Sequence, residues 1–310
     1  MKEKISNTNP LFCDPETGIC EMATNETKNG MQKMAHPTEK PIKVVYFTDP
    51  ICSSCWGIEP QLRKLKSEYG KYIEMEYRMG GLLPDWSYNS GGISKPSDVA
   101  HHWDEVSIHY DMPIDGDVWL RDPLASSYPP SIAFKAAQLQ DQKKAILFLR
   151  EIREMVFLKK KNITKWEHIS IAAQTVGLHI EQLKTDFKGK AKALFSEDLK
   201  LAKGFGVRGF PTMFFMDNFG HKEIIYGAKA YAFYEMAILK IRPDSIKNEY
   251  GKDWENLFGK YPTLTAREFS ELSGTPRNES EALLNELVAS GNLNKFPTKN
   301  GAMWKINTNL

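Results

Sequence analysis

Residues 43–70 read KVVYFTDPICSSCWGIEPQLRKLKSEYG, and this stretch decides the fold. Val44, Val45, Tyr46 and Phe47 form an unbroken β-branched and aromatic run, the signature of a buried strand. From Trp56 to Tyr69, Ile58, Leu62 and Leu65 recur at helical spacing, with Lys and Glu on the other side, and Gly70 then stops the helix. Between the two stand Cys52-Ser53-Ser54-Cys55. A C-x-x-C between strand and helix is a redox arrangement. Unpaired N–H groups and the helix dipole favour a thiolate on the first cysteine, and the second lies close enough to close a disulfide. Cys52 is therefore the candidate nucleophile and Cys55 the resolving thiol. Half of a zinc site is the alternative reading, but zinc takes a second ligand pair and no cysteine follows Cys55.

The totals bound the setting. A chain of 310 residues suits one large domain or a domain with an appendage, and 41% hydrophobic with 26% charged residues is ordinary for a globular protein. A net charge of +2 gives no pull toward nucleic acid or a membrane surface. No run has the length of a membrane span, and the amino terminus, MKEKISNTNPLF, lacks the apolar core of a secretory signal. The expected location is the cytoplasm, where a C-x-x-C is more often catalytic or redox-sensing than structural.

Residues 1–40 are polar and read as an irregular arm. The arm holds Cys13 and Cys20 in CDPETGIC, two candidate accessory thiols. Besides standing idle, this pair has three readings: a small disulfide loop, exchange with Cys52 and Cys55, or zinc ligation together with His36.

On the other side, YIEMEY at 72–77 alternates like a half-buried strand, so strand, helix and strand make a βαβ unit. Helical patterns then run over 96–109, 132–140, 143–158, 166–176, 180–187 and 190–205, a helical insertion of about 97–205. The α/β pattern returns with Gly209-Phe210-Pro211-Thr212, a strand at 213–216, a turn at 217–220, a strand at 223–226 and a helix at 231–241. Residues 243–259 are polar and read as a linker. Residues 260–310 read as helices at 265–273 and 279–290 followed by a hairpin within 293–306, a winged-helix-like order. Its second helix, NESEALLNELVAS, carries Glu279, Glu281 and Glu286 and no Lys or Arg, which argues against DNA binding.

The remaining candidates have modest readings. His101, His102 and His109 lie near Asp98 and Asp104 but lack the closer spacing of paired helical ligands, so they read as solvated or core histidines. Glu59 and Lys64 read as surface charges, and Lys159-Lys160-Lys161 as a solvated helix end. Trp56 either shapes a groove for an unfolded client or packs in the core. No metal and no cofactor are expected.

Asp49-Pro50-Ile51-Cys52-Ser53-Ser54-Cys55-Trp56, Glu59-Pro60, Ser127-Tyr128-Pro129, KAAQLQ at 135–140 and Phe148-Leu149-Arg150 carry a resemblance when joined to the Pro211 segment. The chain resembles the DsbA family of thioredoxin-fold proteins over about residues 43–241, and within it looks most like the SpxH branch of ClpXP adapters. Tyr261-Pro262-Thr263 extends the similarity into the appendage. The architecture expected is an α/β thioredoxin-fold domain over 41–242 with the helical insertion, then the linker and the winged-helix-like appendage over 260–310. The resemblance implies a cis peptide bond before Pro211 and backbone there, at Phe210, that pairs with a substrate strand; Trp56, in its groove reading, is the other candidate substrate-binding residue. It implies two functions. One is thiol–disulfide exchange on protein substrates, in which Cys52 attacks, a mixed disulfide forms and Cys55 resolves it. The other is an adapter that binds a Spx-like transcription regulator and promotes its degradation by ClpXP. Exchange is the leading expectation, in a cytosolic setting that favours the reducing or isomerising direction.

Overall fold

The computed structural model describes residues 13–14, 19–21, 41–87 and 94–308. The arm contributes two short strands, β1 (Cys13–Asp14) and β2 (Ile19–Glu21). The rest of the arm, including His36, lies outside the described residues. β3 (Ile42–Thr48) is almost wholly buried, as its apolar run predicts. The single helix expected after it is two: α1 (Ser53–Gly57) and α2 (Glu59–Tyr69). They divide at Ile58 because Pro60 has no N–H to continue the ladder onto Trp56 and instead sits in the first turn of α2, where none is needed. β4 (Ile73–Met79) returns parallel to β3 and completes the βαβ unit.

The insertion comprises α3 (Pro96–Tyr110), the short α4 (Val118–Arg121), α5 (Tyr128–Gln140), α6 (Gln142–Phe157), α7 (Trp166–Thr175), α8 (Ile180–Lys188) and α9 (Lys190–Gly204). α5 starts four residues before its predicted first residue because Pro129 and Pro130 fit the first turn. Buried Asp198 of α9 ties the insertion to the sheet. It accepts from the Met79 N–H at 3.0 Å and from Arg78 and Lys135, both at 2.8 Å.

β5 (Gly209–Phe210), β6 (Thr212–Met216), β7 (Lys222–Tyr226) and α10 (Tyr231–Ile241) close this unit. The central sheet runs β4-β3-β6-β7, with β6 antiparallel to both neighbours. A second sheet runs β1-β2-β5, so part of the arm that reads as irregular is in fact paired with the segment before Pro211. Two- and three-residue strands carry no alternation long enough to be seen in sequence.

Past residue 241 come α11 (Trp254–Lys260), β8 (Thr263–Thr265), α12 (Ala266–Ser273), α13 (Arg277–Ala289), β9 (Leu293–Thr298) and β10 (Gly301–Ile306). α11 falls largely within the stretch that reads as a linker, and its Leu257 and Phe258 belong to a second core with Leu264, Phe269, Leu284 and Trp304. α13 opens at Arg277 and so does hold one cation, which is ion-paired with Asp111 at 2.7 Å and Glu281 at 2.8 Å.

The two cores meet across a seam of buried charge. Arg63 of α2 donates to the Thr263 carbonyl at 2.7 Å and lies 3.2 Å from Glu268. Arg150 of α6 pairs with Glu154 at 2.7 Å, and Glu154 accepts from the Thr263 hydroxyl. Among the described residues no helix is long and apolar enough to cross a membrane.

Candidate functional site

The site begins at the end of β3. Cys52 caps α1: its Sγ accepts from the Cys55 N–H at 3.1 Å, and its own N–H reaches the Asp49 carbonyl at 3.2 Å. A turn over Asp49–Cys52 followed by the first turn of α1 thus brings the two thiols together. Both are buried in this structure.

Burial raises the Cys52 thiol well above the ordinary value, because the charged form gives up water. On Cys55 burial pulls in the same upward direction, but the hydrogen bond from Cys52, the Arg153 cation and the Thr48 and Tyr46 hydroxyls together bring it below the ordinary value. In this closed arrangement the negative charge is therefore better held at Cys55, the reverse of what the helix-start position suggests for Cys52 alone.

Arg153 is the residue that the sequence reading passes over. It is 1% exposed, donates to Glu59 and to Thr48 Oγ1, both at 2.6 Å, and reaches the Asp49 carbonyl at 3.3 Å. Its signal was present: an Arg-Glu pair, Arg153-Glu154, stands among the apolar positions of α6. Glu59, read as a surface charge, is the partner of this buried guanidinium. Asp49 lies behind the pair, fully buried, accepting from the Ile51 N–H at 3.0 Å and from the Leu82 N–H and Ser127 hydroxyl at 2.8 Å. Burial outweighs these donors and raises its carboxyl to about 6.

Pro211 follows directly on β5, and the Phe210–Pro211 peptide is cis. The Phe210 side chain is wholly buried and lies over Gly80, where an added Cβ would come within 1.7 Å of its ring. The Phe210 ring is thus closed to a partner. Trp56 is likewise closed to a client. Its indole is wholly buried, stacks on Phe157 at 5.5 Å, donates to the Pro113 carbonyl at 3.1 Å and lies under the Arg150 guanidinium at 4.4 Å. Side chains on a short helix facing the sheet pack inward, and this one fills the seam between α1 and α6. In contrast, the β5 backbone is paired: Cys20 of β2 stands opposite Phe210, and Glu21 opposite Gly209. β2 also lies against α1.

Of the histidines, His102 is buried and His101 exposed. Among the described residues no group of three or more His, Cys, Asp or Glu is arranged to hold a metal ion.

Fold and site together define a thioredoxin-fold, DsbA-like protein. A thioredoxin family model matches residues 46–238. Among solved structures the chain is similar to a putative protein disulfide isomerase from Nitrosomonas europaea, with a TM-score of 0.56 at 19% identity, covering 66% of this chain and all of that one. It is also similar to the cytosolic disulfide reductase DsbM from Pseudomonas aeruginosa, with a TM-score of 0.53 at 20% identity, covering 65% of this chain and 99% of that one. Over nearly its full length it is similar to the ClpXP adapter protein SpxH of Halalkalibacterium halodurans, 34% identical across 96% of this chain and 97% of that protein. The SpxH of Bacillus subtilis is 29% identical over 87% of this chain and 90% of that protein. The chain belongs to the SpxH family of thioredoxin-fold proteins.

Proposed function

We propose that this protein is a cytoplasmic adapter that binds a Spx-like regulator and promotes its degradation by ClpXP. The observation that carries this reading is the extent of the two likenesses. The disulfide-exchange structures account for about two thirds of the chain, whereas the adapter relative spans 96% of it, second core included. That second core is joined to the first by buried ion pairs on α2 and α6, so the two can act as one binding body. The chain then divides into an arm at 1–40, a thioredoxin-like unit at 41–242 and, from α11 onward, a winged-helix-like unit that binds protein rather than nucleic acid. The acidic residues Glu279, Glu281 and Glu286 on α13 support this. The test is the half-life of a Spx-type regulator with purified ClpXP, with and without the wild-type chain or Cys52→Ser/Cys55→Ser. Acceleration by both proteins supports the adapter; no acceleration by either rejects it.

A second reading, thiol–disulfide exchange on protein substrates through Cys52 and Cys55, is favoured by the Cys55 N–H bound to Cys52 Sγ and by strand pairing at Phe210. Loss of exchange with a model protein disulfide in Cys52→Ser supports it; exchange unchanged in that variant rejects it.

A further inference from the structure

One rung of the β1-β2-β5 sheet joins two residues of the arm to one of β5. Cys13 pairs with Cys20 across the hairpin, and Cys20 pairs with Phe210 across to β5. Directly opposed residues of antiparallel strands have Cα atoms about 4.5–5.5 Å apart, within the span that a disulfide bridges. Phe210 is the residue before Pro211, and β2 also lies against α1, which Cys52 caps. The arm therefore brings a cysteine-bearing strand, by backbone pairing, to the sheet edge beside the Cys52–Cys55 pair. This is the mode by which an extended peptide adds to an exposed edge. Cys52 itself is fully buried.

We propose that the Cys13/Cys20 hairpin is a built-in substrate of the Cys52/Cys55 pair, an internal relay that rests on the thiol–disulfide reading above. A small-molecule disulfide first oxidises Cys52 and Cys55 to their disulfide and leaves as two thiols. The Cys20 thiolate then attacks Cys52 Sγ. A Cys20–Cys52 bond forms, the Cys52–Cys55 bond breaks, and Cys55 leaves as the thiolate next to the Arg153 cation. Next, the Cys13 thiolate attacks Cys20 Sγ, forming Cys13–Cys20 and releasing Cys52 as thiolate. Two electrons pass from the hairpin to the C-x-x-C pair, and the protons lost by Cys13 and Cys20 are regained through solvent by Cys52 and Cys55. Tethering makes the attack intramolecular, so the hairpin outcompetes a dilute external thiol without any added contact.

The experiment uses the full chain as Cys13→Ser/Cys55→Ser, which leaves only Cys20 and Cys52. It is treated with hydroxyethyl disulfide and mapped by mass spectrometry of its peptides. The expected product is an intrachain Cys20–Cys52 bond, exceeding the Cys52–hydroxyethyl adduct by about tenfold. A second variant adds Glu21→Pro, which sets a residue without an N–H opposite Gly209 in the ladder, and should shift the ratio back by about tenfold. If Cys52 carries the adduct but no Cys20–Cys52 bond forms, or the bond forms only between chains, the relay is overturned while Cys52 chemistry stands. If Cys52 forms neither adduct nor bond, and wild type fails to reduce a protein disulfide, the relay and the exchange reading fail together.

Discussion

Arg150 forks onto Glu268 across the seam between the two cores, Nη1 at 2.7 Å and Nη2 at 3.1 Å, with Glu268 wholly buried. Arg63 approaches the same carboxylate from the opposite helix. Burial works to raise the Glu268 carboxyl, but the Arg150 and Arg63 cations hold it below its ordinary value. Glu268→Ala leaves two guanidiniums without their counter-charge and should cost about 3–5 kcal/mol, read as a lower urea midpoint. Because its folded value is depressed, the stabilisation is present above the ordinary carboxyl value of 4.5 and is lost as pH falls through the folded one. A loss under 1 kcal/mol, estimated against the same scale as roughly that of a surface pair, would mean that the seam is solvated.

Asp49 has the opposite sign. Its carboxyl stands at about 6 in the folded chain against 3.8 ordinarily, so the folded state binds the proton more tightly. Its stabilisation is full below about pH 4 and is lost as pH rises through about 6, a difference of roughly 3 kcal/mol. Asp49→Asn cannot titrate, so wild-type stability should fall relative to this variant across that window. Parallel urea titrations at pH 4, 5, 6 and 7, values chosen to span roughly the two limits, give the comparison. Parallel curves would show that Asp49 is hydrated.

Gly80 permits the Phe210 ring to lie on the main chain. Gly80→Ala would set a methyl within 1.7 Å of that ring, so Phe210 and β5 must shift. The expected cost is about 1–3 kcal/mol, with faster amide exchange at Phe210, measured by hydrogen–deuterium exchange. Normal stability and protection would show that the ring finds another place.

Arg153→Met removes the cation that lowers the Cys55 thiol while keeping much of its apolar stem. The Cys55 thiol should rise, read as a later onset of thiolate absorbance on alkaline titration of Cys13→Ser/Cys20→Ser/Cys52→Ser, in which Cys55 is the one cysteine left. An unmoved titration would put the depression down to the hydrogen bonds from residue 52, Thr48 and Tyr46, without the cation.

The local elements around the site were legible in the chain because their causes are local. The buried run of β3, the periods of α6 and α10, and the strand–C-x-x-C–helix order follow from spacing within a few residues. The break at Ile58 was legible too, through Pro60, but was overrun by the apolar period. What only the tertiary structure decided is which distant groups meet. Periodicity says that Trp56 and Phe210 are apolar, but not that Phe157 and Gly80 cover them. It shows Arg153 on an apolar helix face, but not Thr48 and Glu59 waiting for its guanidinium. It shows Cys20 in a polar arm, but not its rung opposite Phe210. Strand pairing and buried charge are contracts between segments far apart in sequence. Their partners are set by how the βαβ unit, the insertion and the second core close on one another, where desolvation penalises every polar group left without one.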